Sequence, residues 1–305
     1  LKEAGECEME KFYKKRFWPL VLPAVVCYTL VLVIPFFIGI LYSFTSWRGT
    51  YFAGGSLFGS FVGLENYAKV FSGGKFGYSL AYTAGYAVIA VILLNVIALG
   101  MALLINSITK GAGVLRTVLF MPKMLGGLAM GFVWQFIFQV IFTDILFGEE
   151  GVLHAEFLTY MTQDPKKALF ALAIMNTWSM AGYLMLMYVI GLNAIPGDVF
   201  EAASIDGANA LQTFFKIKLP LLMPSITISL FLVISDSFKM LDQNVALTNG
   251  DYNTRMLALQ ILRTIQDSNP PNYGVAQAQA VIFFLIVATI SIVQVSVTRS
   301  KEVQM

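Results

Sequence analysis

Two polar clusters interrupt long apolar runs in this chain. The first is "NTWSMAGY", which places Asn176, Ser179, Met180 and Tyr183 three and four residues apart. That spacing puts them on one face of a helix. An Asn amide there can hydrogen-bond hydroxyl groups, and a Tyr ring can pack on an apolar ligand face. The second is "SDSFKMLDQN", with Asp236, Ser237, Lys239, Met240 and Asp242. Lys239 lies three residues from both Asp236 and Asp242, the spacing of an intrahelical ion pair. Each cluster carries two readings, contact with a passing ligand or polar glue between helices.

A third stretch, "EAASIDGANALQTFFKIKLP" (Glu201–Pro220), is charged where its flanks are not. Asp198 is expected to cap a short helix, with Glu201 at the spacing of a capping box. The helix should end at Ile205, and Gly207 suits a left-handed turn that a Cβ resists. A second helical piece follows from about Asn209, and Pro220 opens the next apolar run. An ordinary amphipathic connection lying on a membrane has the same pattern, so periodicity leaves both readings open.

Other chemistry finds no residues. HExxH, GxSxG and paired histidines are absent, and "GGKFG" (Gly73–Gly77) lacks the GxxxxGK[ST] spacing of a phosphate-cradling loop. Cys7 and Cys27 form no metal or redox pattern, and the single histidine, His154, has no companion ligands.

The elements that position these clusters follow from composition. Of 305 residues, 57% are hydrophobic and 12% charged, about half the charge of a soluble domain. Mean hydropathy is +0.73. An all-α polytopic membrane protein is expected. A span needs about 20 apolar residues, and six such runs occur, near 17–44, 78–105, 117–142, 168–194, 221–246 and 280–297. The first follows "KFYKKR" and is too long for a signal-peptide core, so it reads as a retained span.

With the N-terminus inside, Lys2, Lys11, Lys14, Lys15, Arg16, Lys110, Arg116, Lys216, Lys218, Arg299 and Lys301 fall inside. Arg48, Lys69, Lys75, Lys166, Lys167, Arg255 and Arg263 fall outside. The positive-inside bias then places both termini and the 195–220 loop in the cytoplasm. The expected organisation is a cytoplasmic tail (1–16), a six-helix domain (17–299) and a short cytoplasmic tail (300–305). The outside loop at 46–77 is rich in Gly, Ser and aromatics, and the one at 143–167 carries Asp144, Glu149, Glu150, Glu156 and Asp164.

Glu201, Ala202, Ala203, Gly207, Ile217, Leu219 and Pro220 match every fixed position of the EAA---G---------I-LP signature. The chain therefore resembles the permease subunits of ABC importers. "FVGLENYAKVF" (Phe61–Phe71), "LRTVLFMP" (Leu115–Pro122) and "SFKMLDQNVALTNG" (Ser237–Gly250) resemble segments of the maltose- and oligosaccharide-type subfamily. The resemblance implies a type I importer permease fold and a non-catalytic subunit forming half of a carbohydrate pore in a bacterial cytoplasmic membrane. It also implies a second permease, a dimer of ATP-binding subunits that holds the ATP and Mg²⁺, and an extracytoplasmic sugar-binding protein. Nucleic acid has no place in it. Asn176, Ser179, Met180, Tyr183, Asp236, Ser237 and Met240 would face substrate. Ser179 and Met180 stand where some relatives have Leu and Gly. Asp198, Glu201, Ala202, Ala203, Asp206 and Gly207 would form the helix that docks on the ATPase. A permease for another solute, such as glycerol phosphate or a polyamine, is the alternative, followed by a channel or a membrane enzyme.

Overall fold

The computed structural model describes residues 17–108, 110–149, 151–153 and 155–302. The 1–16 tail, Cys7, Glu150 and His154 lie outside the described residues. Every long element is a helix, and among the described residues the strand-like pairing is two isolated bridges, Thr45 with Phe61 and Trp47 with Phe52. Lipid offers no hydrogen-bond partners to a backbone, so a spanning chain satisfies its own amides by coiling.

Helices α1 (Phe17–Ser43), α2 (Glu65–Ser72), α3 (Lys75–Asn106) and α4 (Ala112–Phe120) come first. They are followed by α5 (Gly127–Phe147), α6 (Pro165–Asn193), α7 (Gly197–Ile205) and α8 (Ala210–Leu221). Helices α9 (Met223–Lys239), α10 (Asp242–Thr248), α11 (Leu257–Gln266) and α12 (Tyr273–Arg299) complete the chain. Five helices are long and apolar enough to cross a membrane, or six if the bent pair α8–α9 counts as one span.

The contacts divide into two units, residues 17–72 with 264–281, and residues 73–263 with 282–302. In the first unit, the buried amide of Asn66 donates to Ser43 O and Thr45 O, each at 2.8 Å, and so pins α2 beneath the end of α1. Nearby, the rings of Trp47 and Tyr273 pack 4.9 Å apart.

The second unit is built on α3 and α6, which pack along their length. Ala90, Ala98, Ala102, Ala171 and Ala173 are buried at this core. Small side chains let helices approach where no hydrophobic driving force separates protein from lipid. With 32 residues, α3 is about 48 Å long and outruns a hydrocarbon core of ~30 Å. Asp164 caps α6, its Oδ1 accepting from Lys166 N and Lys167 N at 2.9 Å, with Pro165 in the first turn.

Two spans differ from expectation. The third begins at Gly127, not near Thr117, because Pro122 and Lys123 sit in a 3₁₀ turn (Met121–Met124) that separates the short α4 from α5. The fifth does not run on to Ala246. It stops at Lys239, where Met240 turns extended (φ −63°, ψ 101°) and the chain restarts as α10. Helix α10 lies against α5. A Cβ built on Gly131 would meet Ala246 Cβ at 2.5 Å, and one on Gly127 would meet Asp242 Cβ at 3.0 Å. The two glycines, four apart, therefore let α10 pack where a full span would not fit.

Candidate functional site

The polar face of α6 turns inward. Asn176 is 2% exposed, Ser179 and Met180 are buried, and Tyr183 is half-buried with its ring 6.3 Å from that of Phe120. On α9, Asp236 is half-buried, while Ser237 is buried and spends its hydroxyl on Val233 O at 2.7 Å. Met240 is buried at the break after α9.

The two clusters meet through a residue that sequence reasoning passed over. Tyr86 of α3 is fully buried in the same core as Met180 of α6 and Met240 at the end of α9. Neither its hydroxyl nor Asn176 Nδ2 completes a hydrogen bond. An unmet buried polar group costs about 1–3 kcal/mol. A tyrosine inside an apolar run carries no periodic signal, so its role became visible only in the packing. Lys123 is the second addition, its Nζ donating to Met180 Sδ at 2.7 Å.

The expected Lys239 ion pair does not form. Lys69 and Glu65 of α2 do pair, at 2.6 Å. Lys239 ends α9 exposed, and Asp242 belongs to the first turn of α10. The helical spacing that would have joined them is cut at Met240.

The charged loop folds as helix, bend and helix. Its first helix is α7, and Gly207 holds φ +73°. The cap differs from expectation. Pro196, extended at φ −59° and ψ 141°, takes the N-cap of α7 and provides no side-chain bond. Asp198 therefore falls inside the first turn, where its charge still favours the positive end of the helix dipole. The capping box forms at α8 instead. Asn209 Oδ1 accepts from Gln212 N and Gln212 Oε1 accepts from Asn209 N, both at 2.9 Å. Asp198, Glu201, Ala202 and Asp206 are exposed, whereas Ala203 is buried against the chain itself. Lys218 Nζ lies 5.4 Å from the centroid of the Phe200 ring and ties α7 to α8. Helix α8 then meets α9 at a bend of 67°.

Comparison with known proteins gives this geometry a context. The family described as "Binding-protein-dependent transport system inner membrane component" matches residues 95–302. Over 299 residues the chain is 36% identical to the "Probable starch degradation products transport system permease protein AmyD" of Thermoanaerobacterium thermosulfurigenes, covering 97% of this chain and 98% of that one. It is 31% identical over 245 residues to the "Trehalose/maltose transport system permease protein MalF" of Thermococcus litoralis, covering 79% and 81%. The fold is shared with a chain of a bacterial ABC transporter that imports the acidic polysaccharide alginate, with a TM-score of 0.75, 18% identity, and coverage of 96% and 99%.

Proposed function

The chain belongs to the family of binding-protein-dependent transport system inner membrane components, and on that premise we propose that it is a permease subunit of an ABC importer for an oligosaccharide. One observation carries the reading. A loop of the EAA form stands out as a separate helix with Glu201 exposed, in a chain related over 97% of its length to a permease for starch degradation products.

The chain forms half of a pore in a bacterial cytoplasmic membrane. A second permease supplies the other half, and a dimer of ATP-binding subunits docks on α7. A sugar-binding protein delivers the substrate from outside. A related fold has been solved with a binding protein that carries an alginate pentasaccharide. ATP and Mg²⁺ belong to the partner ATPase in this reading.

The transport step is alternating access. Helix α7 moves with the ATPase as a rigid body, and the bend at Gly207 passes the shift to α8 and α9. Asn176, Ser179, Met180, Tyr183, Asp236, Ser237 and Met240 meet the sugar as the helices of this chain move against those of the second permease. Five of them are buried within the chain, and Tyr183 and Asp236 are half-buried. The orphaned Asn176 Nδ2 is the group readiest to donate to a sugar hydroxyl oxygen.

Purification of the tagged full chain from its native membrane tests this. A Walker-containing ATPase and a second permease should accompany it, and Glu201→Lys should lose the ATPase or abolish uptake. Normal docking and uptake in that variant would overturn the role of α7.

A further inference from the structure

Below the polar faces already described, three helices share one buried hydrogen-bonded triangle. Tyr188 of α6 donates through its hydroxyl to Asn95 Oδ1 of α3 at 2.6 Å. Ser229 Oγ of α9 lies 2.6 Å from both the Tyr188 hydroxyl and Asn95 Oδ1, so its single proton bonds one of the two at a time. Asn95 Nδ2 is fixed in turn on Val91 O at 2.6 Å. Tyr188 and Ser229 are fully buried, among Leu184, Met185 and Leu222. Away from water, breaking these bonds leaves the Tyr188 hydroxyl without a partner.

The triangle sits where the loop is anchored. Tyr188 precedes the end of α6 by about a turn and a half, and Ser229 follows the start of α9 by about the same distance. The two helices approach closely near here, since a methyl on Gly191 would run into Ser225 Oγ. Ser229 also lies 3.0 Å from Ile226 O, so its hydroxyl keeps a partner if the triangle opens. Asn95 stands on the same helix as Tyr86, which shares one core with Met180 and Met240.

We propose that Asn95, Tyr188 and Ser229 form the joint that makes α6 and α9, the helices flanking the coupling loop, move with α3 as one body. The inference rests on the importer reading and deepens it. A displacement of α7 then reaches Tyr86 and Asn176 without slippage between helices. The three are positioning residues and touch neither sugar nor nucleotide.

The test uses the whole transporter in proteoliposomes, with Cys7 and Cys27 replaced by Ser. Spin labels go on Ser204 of α7 and Val96 of α3, both exposed, and the probe is ATP with vanadate. In the parent, the Ser204–Val96 separation should stay single and unchanged on trapping. In Tyr188→Phe, and separately in Ser229→Ala, assembly and basal ATP hydrolysis should hold, while trapping splits or shifts the separation by ~5 Å, a helical turn. A single, unchanged separation in both variants would reduce the triangle to structural glue and overturn the proposal. A separation that moves in the parent would overturn it as well. Failure of the parent to trap vanadate with an ATPase would instead overturn the importer reading, and the joint with it.

Discussion

Asn176 is buried at 2% exposure with its Nδ2 unpartnered, beside a Tyr86 hydroxyl in the same state. A fold keeps such groups at a cost when something else supplies their partners at another stage of its cycle. Asn176→Ala should therefore leave transporter yield unchanged and raise the KM for oligosaccharide uptake about tenfold, the effect of losing ~1.4 kcal/mol of binding. Uptake kinetics in proteoliposomes check this, and an unchanged KM with a shifted melting temperature would assign Asn176 to packing. Asn176 was legible because a polar residue inside an apolar run is conspicuous. Tyr86 was not, because its ring looks like any other core aromatic. Lys239 shows the opposite failure. Its spacing to Asp242 fits a helix, but Met240 leaves helical geometry between them, and spacing has no meaning across a break; the Asp236 pair, within α9, does not form either.

At the scale of elements, long apolar runs marked the five helices long enough to span and the bent pair α8–α9, since little besides a spanning helix requires them. The ends were harder to read. Pro122 and Lys123 fall in a turn before α5, and the fifth run covers two helices rather than one. Hydropathy averages over such breaks, whereas packing decides them. Two segments of the loop fit the capping-box spacing, Asp198 with Glu201 and Asn209 with Gln212, and only the second forms it. Pro196 had already taken the first cap. The close approach of α10 to α5 makes a prediction at this scale. Gly131→Val would drive its side chain into Ala246 and should destabilise the chain by about 1–3 kcal/mol, the usual cost of overpacking. Thermal unfolding in detergent reads the loss, and Ala246→Gly in the same chain should recover part of it. Equal stability of Gly131→Val and the parent would show that α10 is free to move away from α5.

For the whole molecule, sidedness decides whether the loop can meet a cytoplasmic ATPase at all. The distribution of Lys and Arg predicts that the loop and both termini lie inside. Within the second unit, Thr227 Oγ1 donates to Glu302 Oε1 at 2.9 Å. The end of the chain therefore lies beside the start of α9, at the same end of the unit as the charged loop. That contact joins two segments which the charge count assigns to one side independently. The prediction is a labelling pattern. In a chain whose Cys7 and Cys27 are replaced, a cysteine at exposed Ser204 should react with an impermeant maleimide only in inverted vesicles. One at exposed Ser56 should react only in right-side-out vesicles. The reverse pattern would put α7 outside, where no ATP-binding subunit could reach it, and the exposed Glu201 would then have to serve an extracytoplasmic partner.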